Sequence, residues 1–447
     1  MIALGDLMDD PCLIVVGAGP KGIALGAKVS ALRTCGLHVP RVRIFDHSGV
    51  AANWTGTEGE YTNGRQRLAS SPLKDVGFPY ASKWGDAQKN AQVDEEMLRF
   101  SWPAYLIARR TMKFEKKNYY ATWVDRGEIV PLLSEWAGYL EWVAMQSGCT
   151  PDERRVKAAS KVGNRWEVVV VDKFGIEETV PGDGLVVTGP GGPKTLKGYD
   201  PENHPPIATD ARNFWKYLED VVDGRSLRFG VIGAGGAAAS VAMALLQVSE
   251  SRISADPKQN PFMVDILTPD GVVYSRGESY DENRHYSDPQ EWIKFSSDGR
   301  RKFNEHTSAG VFSLEAKQEI GLAENLYTKC FDVADIKVWG SFGGVSVYST
   351  GEDDPLHYDR VINATGFDGL WWIDDLLEDD LRGMAPFNAA RVPGKRNGGL
   401  AIGDSLELRN FDPPLHLPML AEGQGPGFPS LMCLGLMSDR ILRRYVR

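Results

Sequence analysis

The chain has 447 residues, 42% of them hydrophobic and 25% charged, which suits an ordinary globular protein of two or three domains, each with its own core. A net charge of −10 argues against nucleic acid as a partner, since a binder needs a basic surface. No apolar run approaches the roughly 18 residues of a membrane span, and Asp6, Asp9 and Asp10 stand where a signal peptide carries positive charge, so a cytoplasmic protein is expected.

The first predicted strand, Leu13-Ile14-Val15-Val16, runs into Gly17-Ala18-Gly19-Pro20-Lys21-Gly22 and a helix rich in small residues. An apolar strand, a glycine turn and a helix in that order let backbone N–H groups approach a pyrophosphate. A second strand, Val42-Arg43-Ile44-Phe45, ends at Asp46, where a carboxylate can accept both hydroxyls of an adenosine ribose; the other reading is a loop aspartate. Residues 51–80 form a long polar, glycine-rich stretch carrying Trp54, Tyr61, Phe78 and Tyr80, and loops of that length are usually functional. The cluster Lys113, Lys116, Lys117 reads as a solvated face. Pro131 to Met145 has the period of an amphipathic helix, with Leu132, Trp136, Tyr139, Leu140 and Val143 on one face. Strands follow at Trp166–Val171 and Gly184–Val187, then a chain break and crossover at Thr188 to Pro193.

His204-Pro205-Pro206 reads as a linker into a second nucleotide unit. Its fingerprint is Phe229-Gly230-Val231-Ile232 followed by Gly233-Ala234-Gly235-Gly236-Ala237-Ala238, with Ser240 in the helix that follows. The next strand, Met263–Leu267, ends in Thr268 rather than an acid. A carboxylate there would repel a ribose 2′-phosphate, so NADP is permitted, and Arg276 beside Ser275 could supply positive charge; an exposed structural arginine is the alternative. Gly277 to Asn325 breaks the strand–helix alternation and is polar and aromatic, which suggests an insert presenting side chains to a cleft. Strands return at Ile336–Trp339 and Val345–Tyr348, then in Tyr358 to Asn363, which leads into Ala364-Thr365-Gly366-Phe367. Gln424-Gly425-Pro426-Gly427-Phe428-Pro429-Ser430 precedes a last helix, whose Arg440, Arg443 and Arg444 would complement the helix dipole. The five cysteines show no CxxC and the seven histidines no ligand spacing, so neither a redox-active pair nor a metal site is expected.

Two glycine fingerprints in context imply two dinucleotides, usually FAD with a nicotinamide cofactor. The expected architecture is α/β, with two Rossmann-like dinucleotide-binding domains, for FAD and NADPH, and a smaller substrate-binding insert. In chain terms this is 1–205 for FAD, 206–361 for NADPH with the insert at 277–335, and 362–447 returning to the FAD domain.

The strand-ending Ala364-Thr365-Gly366-Phe367, with both glycine turns, resembles the flavin-dependent N-hydroxylating monooxygenases, and among them the L-lysine N6-monooxygenases of mycobactin- and nocobactin-type siderophore pathways. The resemblance is carried by Gly49–Trp54, by Ser71-Pro72-Leu73-Lys74-Asp75-Val76-Gly77-Phe78-Pro79-Tyr80, and by Phe100-Ser101-Trp102 with Tyr105-Leu106. It continues through Tyr139–Ala144, Arg276-Gly277-Glu278, Glu282-Asn283, Ser287-Asp288-Pro289, Gly310–Ser313, Gln424–Pro429, Cys433–Leu436 and Ser438–Arg440, in order along nearly the whole chain. It implies that Lys74 pairs with the α-carboxylate of the amino-acid substrate, that Asn283 holds the α-amino end, and that Val311 to Ser313 contact substrate and nicotinamide ribose through backbone. A surface lysine and a loop-capping asparagine are the alternatives, and the interval from Asn283 to Pro289 is one residue longer than the commoner pattern. Gly17, Gly19, Pro20, Gly22, Asp46, Asn53, Trp54, Thr365, Gly366, Gly427 and Phe428 are assigned to FAD. Gly233, Gly235, Gly236, Ser240, Ser275 and Arg276 are assigned to NADPH, with NADH permitted. Two departures stand out: Ala69 occupies the position where many relatives have glutamine, and Thr268-Pro269-Asp270 the position where many have arginine.

The implied reaction takes L-lysine, NAD(P)H and O2 to N6-hydroxylysine, NAD(P)+ and water through a C4a-hydroperoxyflavin, with no catalytic protein nucleophile or metal. Trp54, Phe78 and Phe428 are candidates for a dry wall around the amine, with core packing as the alternative for each. L-Ornithine N5-monooxygenation, another class B flavin monooxygenase activity and a non-catalytic FAD/NADP-binding partner protein are the rival readings. A homo-oligomer is expected from the resemblance.

Overall fold

The computed structural model describes residues 10–56, 62–112, 117–222, 227–277, 279–308, 310–339, 343–351, 354–390 and 396–446. Asp6, Asp9, Tyr61, Lys113, Lys116 and Glu278 lie outside them.

Two parallel sheets organise the α/β fold. In the first, the order is Leu415–His416, Gly184–Val187, Cys12–Val16, Arg41–Phe45. Cys12–Val16 is apolar along its whole length because both faces of the sheet are covered. On one side lie helices Pro20–Thr34, Leu133–Ser147 and Leu434–Leu442. On the other, the antiparallel sheet Arg155–Val162, Arg165–Val171, Glu177–Gly182 presents Trp166, Val168 and Val170. These three alternate with less buried neighbours, as a one-sided strand must. Helix Leu133–Ser147 buries Trp136, Tyr139, Leu140 and Val143 as its period predicts; Leu132 is its N-cap residue, its N–H donating to the Glu135 carboxylate at 3.2 Å.

In the second sheet the order is Leu326–Cys330, Met263–Thr268, Arg228–Ile232, Arg360–Asn363, Ala208–Asp210, again all parallel. Helix Gly236–Ala255 packs on one face, and the antiparallel strands Val333–Val338, Val345–Ser349 and Leu356–Tyr358 on the other. Arg360–Asn363 lies wholly in this sheet, so the chain leaves it only at Ala364. Leu326–Cys330 is its edge strand, inside the span 277–335.

The two connections between the sheets run side by side. Lys194 N–H donates to the Gly366 carbonyl at 2.9 Å, Asp368 N–H to the Gly192 carbonyl at 2.8 Å, and Pro193 bridges Phe367. The segment carrying Thr365 and Gly366 is therefore paired with the crossover that follows Thr188.

The insert is built from capped helices. Ser279 Oγ accepts from Glu282 N–H (3.1 Å), Asp288 Oδ1 from Gln290 N–H (2.9 Å) and Ser296 Oγ from Gly299 N–H (3.1 Å), starting helices Tyr280–Ser287, Pro289–Trp292 and Ser297–Thr307. Most of its aromatics pack inward and leave other side chains, Asn283 among them, to reach outward. Trp292 is fully buried, and Tyr286 and Trp292 each lie 5.6 Å from Phe303, with Phe295 and His285 closing the cluster. So short a segment needs its own apolar centre, and the aromatics supply it.

Candidate active site

Each glycine turn has the shape a dinucleotide requires. Gly17 (φ +103°) and Gly233 (φ +117°) adopt a conformation that other residues rarely hold, and a Cβ on either would strike Thr188 Oγ1 or the Ala364 carbonyl oxygen respectively. A Cβ on Gly22 would overlap the Gly17 carbonyl oxygen, so helix and strand meet only because that side chain is absent; Ala238, fully buried, takes the same place in the second turn. Gly19 and Gly236 face open space, and Gly235 meets nothing nearer than the Gly310 Cα at 3.8 Å. Both turns thus present bare backbone at a helix start, Pro20–Thr34 and Gly236–Ala255, as a pyrophosphate needs.

Several of the expected flavin residues gather around the first turn, whereas Thr365 lies at the crossover, its backbone nitrogen against Gly233 of the second turn. Ala18 N–H donates to Asp46 Oδ2 at 2.9 Å and Ser48 N–H to Asp46 Oδ1 at 3.0 Å. Ala51 N–H donates to the Ala18 carbonyl at 3.1 Å, which seats the short helix Ala52–Thr55 with Asn53 and Trp54. Lys21 is almost fully buried, and its Nζ donates to the carbonyls of Pro429 (3.0 Å) and Ser430 (2.7 Å), tying the 424–430 segment to the same turn. Burial lowers its pKa to about 8. Gly427 lies against the Tyr286 carbonyl with no room for a Cβ. Phe428 is 1% exposed in the main core with the Arg440 guanidinium 4.7 Å above its ring, so of the three wall candidates it is a core residue, whereas Trp54 and Phe78 are half-buried. Arg440 also donates to Gln424 Oε1 (3.2 Å), and Arg444 pairs with Asp412 (3.1 Å).

Around the second turn, Tyr274–Ser275 pairs in parallel with Val311–Phe312, and Arg276 N–H donates to the Phe312 carbonyl at 2.9 Å. Ser275, Arg276 and Val311 thereby sit beside Gly310 and so beside Gly235. The Arg276 guanidinium reaches the Ala69 carbonyl at 3.5 Å through Nη1, while its Nε is buried without a partner among the described residues. Such a donor suits an anion. Ser313 Oγ accepts from Ala316 N–H (3.1 Å) and caps helix Leu314–Gly321. Ser240 and Ser313 line one cavity of about 330 Å³ together with Gln247 and Glu319 of the second unit and Arg65 and Arg67 of the first. The two arginines went unnoticed in the sequence, where Arg65-Gln66-Arg67 is the only signal.

Lys74 and Asn283, separated by 209 residues, meet: Lys74 Nζ donates to Asn283 Oδ1 at 2.8 Å. Asn283 Nδ2 donates to the Ser279 carbonyl at 3.1 Å, which orients the amide. Next to Lys74, Asp75 is 1% exposed and holds the turn rigid, accepting from Tyr80 Oη (2.7 Å), Trp102 N–H (3.0 Å) and Gly77 N–H (3.1 Å). Burial pushes its carboxyl up to about 6, against the pull of those hydrogen bonds. The aspartate of this motif is thus structural and the lysine faces outward from it. Among the described residues no cluster of His, Cys, Asp or Glu suits a metal, and no helix is long and apolar enough to cross a membrane.

Two parallel-sheet units with paired glycine turns, a double crossover at Ala364-Thr365-Gly366, and a lysine–asparagine pair at the insert define a flavoprotein monooxygenase with a nicotinamide coenzyme. No family model matches the chain. It is 35% identical over 445 residues to L-lysine N6-monooxygenase MbtG of Mycobacterium tuberculosis, across 97% of this chain and 94% of that protein. It is 32% identical to lysine monooxygenase NbtG from Nocardia farcinica, with a TM-score of 0.78 over 97% of this chain and 99% of that one. Ornithine N-hydroxylase KtzI from Kutzneria sp. 744 shares the fold at 16% identity and a TM-score of 0.70, over 97% and 98% of the two chains. The chain belongs to the flavin-dependent N-hydroxylating monooxygenases of the L-lysine N6-monooxygenase type.

Proposed function

We propose that this protein is an FAD-dependent L-lysine N6-monooxygenase that consumes NADPH and O2 and forms N6-hydroxylysine for hydroxamate siderophore assembly. The observation that carries the reading is the Lys74–Asn283 contact at 2.8 Å, in a chain 35% identical to a curated L-lysine N6-monooxygenase over nearly its full length.

The redox and oxygen chemistry belongs to FAD when bound and reduced by NADPH. The protein's residues bind and orient. Gly17, Gly19, Pro20, Gly22 and Asp46, with Asn53, Trp54, Thr365, Gly366 and the Gly427 segment, hold FAD in the first unit. Gly233, Gly235, Gly236, Ser240, Ser275 and Arg276 hold NADPH in the second, where the strand ends in Thr268 and not in a carboxylate that would repel a 2′-phosphate. Lys74 pairs with the substrate α-carboxylate through a charge-assisted hydrogen bond. Asn283 Oδ1, which accepts from Lys74, is placed to accept from the α-ammonium as well, since an amide oxygen has two lone pairs. Val311 to Ser313 flank the substrate by backbone.

The reacting amine must be neutral. A lysine amine begins near pKa 10.4, and a dry cleft lowers that value because desolvation penalises the ammonium form. Half-buried Phe78, whose N–H donates to the Asp75 carbonyl, and half-buried Trp54 are the candidates for that apolar surface. Cytoplasmic location and homo-oligomeric assembly belong to the same proposal.

The test is direct: FAD-loaded protein is supplied with NADPH, O2 and separate amino acids, and hydroxylamine is assayed. Product with L-lysine is expected. Product with L-ornithine alone would move the substrate assignment, and product with neither would remove the function.

A further inference from the structure

The Lys74 ammonium also touches a sulfur that the sequence gives no hint of. Its Nζ lies 3.5 Å from Met432 Sδ, and the same sulfur accepts from Ser70 Oγ at 3.4 Å. Met432 is 1% exposed. Two donors, one before and one within the Lys74 turn, therefore converge on a single thioether.

Methionine is flexible and ordinarily a gap-filler, so its backbone would have to be held for the sulfur to set a direction. It is held. Met432 N–H donates to Ser430 Oγ at 3.1 Å, and that hydroxyl donates to the Gly427 carbonyl at 3.0 Å. The Ser430 carbonyl accepts from buried Lys21 at 2.7 Å. Gly427 is pressed on the Tyr286 carbonyl, and Trp292 Nε1 donates to the Gly423 carbonyl at 3.2 Å. The segment 423–432 thus runs from the insert, past the first glycine turn, to the sulfur under Lys74.

We infer that Met432 is a positioning residue: its thioether aims the Lys74 ammonium at the substrate carboxylate without neutralising it. The physical reason is the kind of acceptor. A carboxylate in that place would form an ion pair with Lys74 and compete with the substrate. An aliphatic side chain would leave the ammonium with less to fix its direction. A thioether is a weak, uncharged acceptor, so it orients the ammonium and leaves the positive charge intact.

The inference rests on the lysine-hydroxylase reading, and its test separates the two. Met432→Leu keeps the volume and removes the acceptor, a swap that cores usually tolerate; Met432→Gln puts an amide oxygen where the sulfur was. Each FAD-loaded protein is measured for equilibrium L-lysine affinity by calorimetry, for KM and kcat with lysine, for KM with NADPH, and for flavin content. In the Leu variant the lysine Kd and KM are expected to rise together by about five- to twentyfold, the loss of one weak hydrogen bond to a charge. Over the same change kcat at saturating lysine falls less and KM for NADPH moves less than about twofold, while Gln restores most of the lysine affinity. A Leu variant that binds lysine as the parent does overturns the inference. So does one that loses flavin or weakens lysine and NADPH alike, because the sulfur would then serve packing, and so does a Gln variant no better than Leu. A parent that forms no lysine-dependent hydroxylamine defeats the functional reading instead.

Discussion

The two glycine turns share a plan and differ in how they are held. In the first, Gly22 lets the helix touch the Gly17 carbonyl, Asp46 accepts from Ala18 at 2.9 Å, and Lys21 binds the carbonyls of Pro429 and Ser430. In the second, Ala238 fills the place of the third glycine, the next strand ends in Thr268 with no acid, and Gly236 faces open space. The first turn is tied by the side chains of Asp46 and Lys21 to other parts of the chain, and the second is met only through backbone, by Ala364 at Gly233 and Gly310 at Gly235. The asymmetry can be broken in several ways.

The largest effect concerns pH and the first unit. Buried His416, on its edge strand, contacts the Ser405 carbonyl and Tyr445 Oη at 2.7 Å each, and burial lowers its pKa to about 4. Between 6.5 and 4 the unfolded chain binds a proton that the folded one refuses, so this histidine removes stability as pH falls through that window. Asp75, raised to about 6, works the other way: the folded protein binds the proton first, and stability rises as pH falls from 6 to 3.8. Each contribution is on the order of 3 kcal/mol, so they nearly cancel. Thermal melts of Asp75→Asn should therefore lose stability more steeply than the parent between about pH 6 and 4, and a variant with the parent's slope would refute the pairing.

Next in size is the turn contrast itself. Gly22→Val should weaken FAD binding by about 100-fold, at the upper end of overpacking costs, because the obstacle is backbone. Gly236→Ala enters open space and should change FAD binding by less than about twofold. Flavin dissociation constants decide it, and equal losses would dissolve the contrast. Lys74→Met should raise the lysine KM by about 50-fold, the value of a hydrogen bond between charged partners, while flavin content stays at the parent level; an unchanged KM would return Lys74 to the surface. The smallest expected change is Arg276→Gln, which should raise the NADPH KM by about tenfold and leave the NADH KM nearly unmoved, as loss of one phosphate contact predicts. Equal shifts with both coenzymes would make the Ala69 contact its whole role.

Much of this was legible because it is local. Strand Cys12–Val16 and its glycine turn, the Met263–Thr268 strand with no terminal acid, and the apolar face of Leu133–Ser147 all follow from short-range period and turn chemistry. Lys74 and Asn283 were picked out separately by motif, and folding brings them within 2.8 Å. Less was visible where one residue type serves two ends. The polar and aromatic composition of the insert suggested side chains facing a cleft, but Tyr286 and Trp292 pack on Phe303. Phe428 read equally as pocket wall and as core, and it is packed under Arg440. Arg65, Arg67 and Met432 lie in no periodic pattern, and their neighbours come from far along the chain.

By itself the sequence determined the two strand–turn–helix units, because a glycine turn, a buried apolar strand and a small-residue helix are specified within about twenty residues by sterics and hydrophobic period. Only the tertiary structure decided which side chains share the site. The double crossover at residues 188–194 and 364–368, and the return of 423–432 beneath Lys74, bring together groups hundreds of positions apart. Such meetings are settled by how layers pack, a property of the whole chain that no local window contains.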